Sequence, residues 1–343
     1  MSKMLREIRQ QPDVIEKTIR AESTKLRKLG KFLRDRDVDL IVLAARGSSD
    51  NAAIFGRYLL EIACGIPVSL CAPSVYTLYK AKLDLKRALV IGISQSGEGT
   101  DVNTVLEQAR KYGAFTLGIT NSSRSPITKV SDETLLIHAG KERSVAATKT
   151  YTGQLLHFYL LANSLTTKAK INLEKLPEYA SSALELESEV SEIAARYTFM
   201  ENCVVVGRGF NYGNSFELAL KLMETCYVVA ERFSTADFQH GPLAVVERRF
   251  PVIHIGPRGA PKRTDLELLR RLKELNADCF SITNDRSIAR ASSRSVMLPA
   301  GISELLSPIP FIIPGQLFAA HLSAAKALDP DAPRSLSKIT QTV

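Results

Sequence analysis

Four groups of residues in this chain have types and spacings that could do chemistry. The first is the run Ser94-Gln95-Ser96-Gly97-Glu98-Gly99-Thr100, between an apolar stretch at 88–93 and a helix-forming one at 101–111. Small and hydroxylated residues at a strand-to-helix turn leave N–H groups aimed at one spot with the helix dipole behind them, a setting for an anion and above all a phosphate. One capping hydroxyl would serve an ordinary helix start; three hydroxyls and two glycines favour the phosphate. The second group is Glu217, Lys221 and Glu224, spaced i, i+4, i+7 on an otherwise apolar helix pattern at 214–225. Such a stripe is either a solvated face with a Glu–Lys pair, or a carboxylate and an ammonium facing a cleft, where burial moves Glu224 toward the range of a general base. The third is His240. A lone histidine is usually structural, but the Gly241-Pro242 break behind it sets it in a loop, where titratable groups tend to be functional. The fourth is the tail at 333–341 with Lys338. A terminal tail frays by default; a lysine brought by it into an apolar cleft would be an imine-forming amine.

The elements that must position these groups follow from hydropathy period. Residues 3–33 carry apolar positions at helical spacing, broken near Gln11-Pro12. Strands are expected at 39–44, 68–70, 88–93, 115–119 and 135–138, and helices at 51–63, from 73, at 101–111 and at 144–165. A polar, lysine-rich stretch at 163–175 reads as a link. Helices at 179–197, 214–225 and 316–328 are expected beyond it. Strands alternating with helices mean parallel sheets covered on both faces.

The chain also repeats itself. Leu43-Ala44-Ala45-Arg46-Gly47 pairs with Val205-Val206-Gly207-Arg208-Gly209, Ile93-Ser94-Gln95-Ser96-Gly97 with Ile255-Gly256-Pro257-Arg258-Gly259, and Gly118-Ile119-Thr120-Asn121 with Ser281-Ile282-Thr283-Asn284, at offsets of 162, 162 and 163. Three ordered matches at strand ends indicate two copies of one α/β fold. Gly256-Pro257-Arg258 replaces Ser94-Gln95-Ser96, so only the first copy is expected to hold a phosphate.

Composition narrows the classes. At 343 residues, 45% hydrophobic and 24% charged, the chain suits an ordinary two-domain soluble protein. No apolar run approaches the roughly 20 residues of a membrane helix, and the N-terminus lacks a signal-peptide core; a cytoplasmic protein is expected. The five cysteines have no metal-ligand spacing and read as buried free thiols. The net charge of +9 is spread without a basic block, which argues against nucleic acid. Residues 207–213 only loosely match a dinucleotide fingerprint, with wrong glycine spacing.

Together these segments resemble the sugar isomerase (SIS) family in its tandem form. The carrying motifs are Arg46-Gly47-Ser48-Ser49, Ser94-Gln95-Ser96-Gly97-Glu98, Glu142 with Val145-Ala146-Ala147-Thr148-Lys149, Ala219-Leu220-Lys221-Leu222-Met223-Glu224, His240-Gly241-Pro242, and Pro333-Arg334 through Lys338. The match is with the isomerase half of glucosamine-6-phosphate synthases, and Arg46-Gly47-Ser48-Ser49-Asp50 with the terminal Thr340-Gln341-Thr342-Val343 is closer to stand-alone SIS-type glucosamine-6-phosphate deaminases. The resemblance implies two flavodoxin-like three-layer α/β/α domains. The expected division is a helical segment at 1–35, SIS domains at 36–170 and 171–328, and a closing tail at 329–343.

By the same resemblance, Ser49, Ser94, Gln95, Ser96 and Thr100 bind the sugar phosphate, and Glu142, Val145 and Ser337 contact the substrate. Glu224 transfers the proton, Lys221 steadies charge on oxygen, His240 opens the ring, and Lys338 closes the site. A homodimer is implied, with the His-Gly-Pro loop contributed across its interface. No metal or organic cofactor is expected, because the neighbouring carbonyl or imine is the electron sink. Two departures stand out: Gly99 replaces the synthases' threonine, and Asp237 replaces a glutamate. No glutaminase segment with its N-terminal cysteine precedes the SIS halves, and position 2 is serine, so a glutamine-independent enzyme is expected. The implied reaction is deamination of glucosamine 6-phosphate to fructose 6-phosphate and ammonia. The alternatives are a fructosamine-phosphate deglycase, a galactosamine-6-phosphate deaminase or isomerase, and a non-catalytic sugar-phosphate sensor.

Overall fold

The apolar stretch Ala88–Ile93 is the middle strand of a five-stranded parallel sheet and is buried along its whole length. In the computed structural model, which describes residues 1–336 and Lys338, the chain clusters into two compact units. Among the described residues, one comprises 13–142, 149–172, 336 and 338; the other comprises 1–12, 143–148 and 173–335.

The first-half unit holds β1 (Leu40–Ala44), β2 (Val68–Leu70), β3 (Ala88–Ile93), β4 (Phe115–Thr120) and β5 (Glu133–Leu136) in the order β2-β1-β3-β4-β5. Helix α1 (Lys3–Ile8) lies in the other unit, and α2 (Gln11–Asp35) starts there and runs into this one. The helices of the first-half unit that follow are α3 (Ser48–Cys64), α4 (Ser74–Thr77), α5 (Thr100–Lys111), α6 (Ile127–Val130) and α7 (Lys149–Leu165). The second-half unit holds α8 (Leu176–Leu184), α9 (Glu187–Ala195), β6 (Asn202–Gly207), α10 (Tyr212–Cys226), β7 (Val229–Phe233), α11 (Thr235–Gln239), β8 (Pro251–Gly256), α12 (Lys262–Glu274), β9 (Asp278–Thr283), α13 (Arg286–Ala291), β10 (Arg294–Met297) and α14 (Pro308–Ala325). Its order, β7-β6-β8-β9-β10, is that of the first sheet, and all pairings in both are parallel. The internal repeat is therefore a repeat of topology.

In this order the chain reverses direction across the sheet between β1 and β3, and again between β6 and β8. Ligands of open α/β sheets bind at that switch point, outside the carboxyl ends of the strands. Helices α7 and α14 are equivalent in the repeat and buried on nearly all sides. Each packs on the helix after the first strand of its sheet: α7 on α3, α14 on α10. This explains their near-continuous apolar sequence.

Several expected elements differ. The helix expected over 144–165 begins only at Lys149. Upstream, the N–H groups of Arg143 and Ser144 donate to the buried Glu7 carboxylate and the Thr148 carbonyl accepts from Gln316, so tertiary partners replace the helical ladder. The single helix over 179–197 is two, α8 and α9; Glu187 in the first turn of α9 is gripped by Arg9 through two bonds of 2.9 and 2.8 Å. Strand β5 ends at Leu136 because His138 takes a left-handed φ of 57°. The last helix starts at Pro308, eight residues before the expected 316. Cys203, Cys226 and Cys279 are buried, Cys64 and Cys71 half-buried, and all five are free thiols; burial pushes Cys226 up to about 11 and Cys279 to about 12.

Candidate functional site

The turn after β3 is built to stay open. Ser94 N–H continues the ladder to Ile119, and Gly97 N–H donates to the carbonyl and Oγ of Ser94, both at 3.1 Å. Glu98 N–H donates to Ser96 Oγ at 3.2 Å. Both serine hydroxyls thus accept from the turn and keep their own protons to donate outward. Gly97 has φ +71°, and a Cβ there would lie 2.1 Å from Ser125 Oγ, so only glycine fits. The N–H groups of Gln95, Ser96, Gly99 and Thr100 donate to no described residue. With the N-terminus of α5 behind them they form a concavity of uncharged donors, a chemistry that suits an anion.

The turn after β1 stands beside it. Ser49 lies in the first turn of α3, buried, with its Oγ accepting from Gln154 Nε2 at 2.9 Å. Arg46 Nε meets Asp101 Oδ2 at 2.5 Å, tying the two turns together. Burial raises the carboxyl of neighbouring Asp50, an effect opposed by Arg46.

Glu142 is fully buried at its side chain and caps the start of α7: its carboxylate accepts from Thr150 N–H at 3.1 Å and Thr150 Oγ1 at 2.6 Å. Lys338 reaches it at 3.1 Å. Lys338 therefore sits in a cleft of about 430 Å³ lined by Gln95, Ser96, Asn121, Ser122, Ser123, Arg124, Gly140, Lys141 and Glu142. Four expected residues thus line one cleft, Gln95 and Ser96 of the turn with Glu142 and Lys338; Ser94 and Thr100 belong to the same turn, and Ser49 to the turn tied to it through Arg46 and Asp101. Asn121, Ser122, Ser123, Arg124 and Lys141 were not among the expected site residues; only Asn121 carried a signal, through its repeat match with Asn284. Ser337 lies outside the described residues. Val145, half-buried, belongs to the 143–148 segment of the second-half unit.

In that unit the charged stripe of α10 is not a solvated face. Glu217 and Lys221 have fully buried side chains, and Glu224 retains 21% exposure. Lys221 Nζ lies 2.6 Å from Glu224 Oε2 and 3.4 Å from Glu217 Oε1. Two carboxylates share one buried ammonium, an arrangement costly to desolvate unless every charge keeps its partner. Glu224 is the member that meets solvent, with the Lys221 ammonium at hydrogen-bond distance behind it. His240 is exposed at the end of α11, before Gly241, with no side-chain partner among the described residues. Tyr227 ends α10 with a left-handed φ of 54°; its phenol oxygen accepts Arg334 N–H at 2.9 Å, and the Arg334 guanidinium lies over its ring at 4.3 Å. The tail is thus fastened to the end of the helix that carries Glu224, a contact unexpected from the sequence. No cluster of three His, Cys, Asp or Glu side chains among the described residues could hold a metal ion, and no described helix is long and apolar enough to cross a membrane.

Residues 36–164 and 200–326 each match the SIS domain family. The chain belongs to the SIS family. It is 36% identical over 98% of its length to a glutamine–fructose-6-phosphate aminotransferase (isomerizing) of Pyrococcus horikoshii, of which it spans 57%. It matches the C-terminal domain of the glucosamine-fructose-6-phosphate aminotransferase of Francisella tularensis with a TM-score of 0.86 and 27% identity, covering 97% of this chain and 98% of that one. The glucosamine-6-phosphate deaminase of Thermotoga maritima shares the fold at a TM-score of 0.78 and 23% identity, over 99% and 100% of the two chains.

Proposed function

We propose that this SIS protein is a glutamine-independent glucosamine-6-phosphate deaminase. The observation that carries the reading is the buried Glu217–Lys221–Glu224 cluster, from which one carboxyl side chain reaches solvent. The relatives named for amination of fructose 6-phosphate support the substrate class, and the chain spans only the share of the Pyrococcus relative given above.

In this reading the 6-phosphate is anchored by the donors of the 94–100 turn, with Ser49 adding a hydroxyl. His240 moves the proton that opens the pyranose ring to its aldehyde. Glu224 takes the C2 proton, leaving an enolamine, and returns it to C1; C1 becomes the alcohol and C2 the imine. Water adds to the imine, ammonia leaves, and fructose 6-phosphate remains. Lys221 holds Glu224 as a base and offsets charge on the substrate oxygen. Lys338, seated on Glu142, closes the cleft over the sugar chain. Such positioned acid–base groups each contribute typically about 10²–10⁴-fold.

The test is ammonia release from glucosamine 6-phosphate beside its galacto epimer and fructosamine phosphates, without glutamine. Turnover of the gluco substrate is expected; release only from a fructosamine phosphate would replace this reading with a deglycase. We further propose a homodimer as the working form. Mixed Glu224→Gln and His240→Asn chains should then regain activity, and inert mixtures would refute shared sites.

A further inference from the structure

The cleft of the first-half unit carries more positive charge than an anchored 6-phosphate uses. Three cations line it, Arg124, Lys141 and Lys338. Lys338 is matched by Glu142 at 3.1 Å, and that carboxylate is also occupied by Thr150. Arg124 and Lys141 have no ion-pair partner among the described residues. The phosphate turn itself offers only N–H groups and hydroxyls, so a sugar phosphate seated there leaves both cations unmatched.

The two cations stand on loops that are fastened together. Asn121 Oδ1 accepts Ala139 N–H at 2.9 Å, and Asn121 Nδ2 donates to the Gly140 carbonyl at 2.6 Å. Asn121 N–H donates to the Gln95 carbonyl at 3.0 Å, and Ser125 Oγ closes the 122–125 turn on Ser122 at 2.8 Å. The loop of Arg124, the loop of Lys141 and the phosphate turn are thus one hydrogen-bonded frame. A frame of this kind lowers the ordering cost of binding. Ser122 and Ser123 add hydroxyl donors to the same wall. Unpaired like charges on one cleft wall repel each other and are relieved by an anion between them.

We infer that Arg124 and Lys141 form a second oxyanion subsite in this cleft, for a carboxylate or phosphate additional to the sugar's 6-phosphate. The inference rests on the 94–100 turn being the phosphate anchor, as proposed above. Two sources fit the chemistry: an acidic substituent on the sugar's own nitrogen, or a separate inorganic anion.

The test uses the whole chain and unreactive probes. These are 2-amino-2-deoxyglucitol 6-phosphate, which has no carbonyl to isomerise, and its N-carboxymethyl and N-ethyl derivatives, with inorganic phosphate as a fourth ligand. Calorimetry on wild type and on the double variant Arg124→Gln, Lys141→Gln reads affinities and stoichiometry, and thermal melts check that the surface substitutions leave the fold intact. A substituent source predicts that wild type binds the carboxymethyl probe about 10-fold tighter than the ethyl probe, the size of one hydrogen-bonded charge contact. The double variant should bind the two equally and hold the unsubstituted probe within about 2-fold of wild type, since that probe carries no group for the subsite and exposed charges out of contact contribute little. A separate-anion source predicts equal probes, but an inorganic phosphate equivalent on top of the saturating unsubstituted probe that the double variant loses. Equal probes with no added phosphate equivalent overturn the subsite alone. A double variant that loses the unsubstituted probe equally also overturns it, by assigning the cations to the 6-phosphate. Failure of wild type to bind the unsubstituted probe sinks the anchor reading and the subsite together.

Discussion

At the switch point of the first sheet, the turn after β3 leaves four N–H groups without a described partner. At the same point of the second sheet, the turn after β8 is filled by the protein itself. Glu304 Oε2 accepts Ala260 N–H at 2.7 Å, and a Cβ on Gly259 would lie 2.1 Å from that oxygen. Its other oxygen would be 3.3 Å from a Cβ on Gly209, in the turn after β6. Pro257 and Pro261 stand where the first copy has Gln95 and Gly99, and remove two of the free N–H donors outright. Glu142 thus supplies a helix cap and a seat for Lys338 in the first copy, while Glu304 is an internal anion in the second. An anion-binding turn is stable when an anion or its surrogate is present. The second copy carries a carboxylate of its own at that turn and has the carboxylate–ammonium cluster on α10; the first presents N–H groups that no described residue takes up.

If the halves divide binding from chemistry, substitutions in them should separate the two. The largest effect is expected for Glu224→Gln, which keeps the shape and removes the base. Ammonia release from glucosamine 6-phosphate should fall by about 10²–10⁴-fold, while the affinity for fructose 6-phosphate measured by calorimetry stays within about 2-fold, as for a group outside the anchor. Loss of binding in step with turnover would break the division. Ser96→Ala should do the reverse, weakening fructose 6-phosphate binding about 10-fold through one charge-assisted bond, with kcat at saturation retained. A kcat loss without a binding loss would remove Ser96 from the anchor.

Part of the difference between the two turns was legible in the sequence, for a physical reason. Loss of hydroxyls at Gly256-Pro257-Arg258 is a change of residue type, and type is what a sequence records. The filling of that turn by Glu304 was not legible, because it depends on a 3-10 turn at Glu304–Leu306 that brings the side chain back across 44 residues. The same holds for Arg334 on Tyr227 and for the 143–148 segment, whose backbone partners Glu7 and Gln316 are distant in sequence. The i, i+4, i+7 spacing on α10 identified the face but not its burial, since a solvated and a buried stripe share one period.

Glu304→Ala should leave fructose 6-phosphate binding unchanged and cost about 1 kcal/mol of stability, the net worth of one hydrogen bond whose exposed Ala260 N–H water can take up; denaturant melts measure it. A gain of a second bound phosphate would mean that the second turn is only masked, which the two prolines argue against. The turn after β9, where Asp285 caps α13, carries a pH signature. Burial alone would raise the Asp285 carboxyl, but Lys262 at 2.7 Å and the N–H groups of Ser287 and Ile288 outweigh it and hold it below its ordinary 3.8. A carboxyl depressed on folding stabilises the fold above its unfolded value, and that contribution disappears as pH falls through the folded one. Thermal melts of Asp285→Asn should therefore fall less steeply than wild type on acidification below about pH 4. Equal slopes would assign the acid sensitivity elsewhere.

The smallest effect concerns Gly99, where the sequence resemblance leads one to expect a threonine. Its φ is −58°, and a Cβ there would meet Asp101 Oδ1, Ser94 Oγ and Val102 Cγ2 at 3.7 to 3.8 Å, ordinary contact distances. Nothing in the backbone or the packing demands glycine, in contrast to Gly97. As the residue preceding α5, position 99 is also an N-cap, where threonine and glycine are nearly equivalent, so Gly99→Thr should leave the melting temperature almost unchanged. What it adds is a hydroxyl at the rim of the concavity. One more neutral donor to the phosphate is expected to tighten fructose 6-phosphate about 5-fold. An unchanged affinity would mean that Thr100, the next hydroxyl along the turn, already fills that place; Thr100→Ala would then weaken binding by the same factor, whereas with the place unfilled it should be silent.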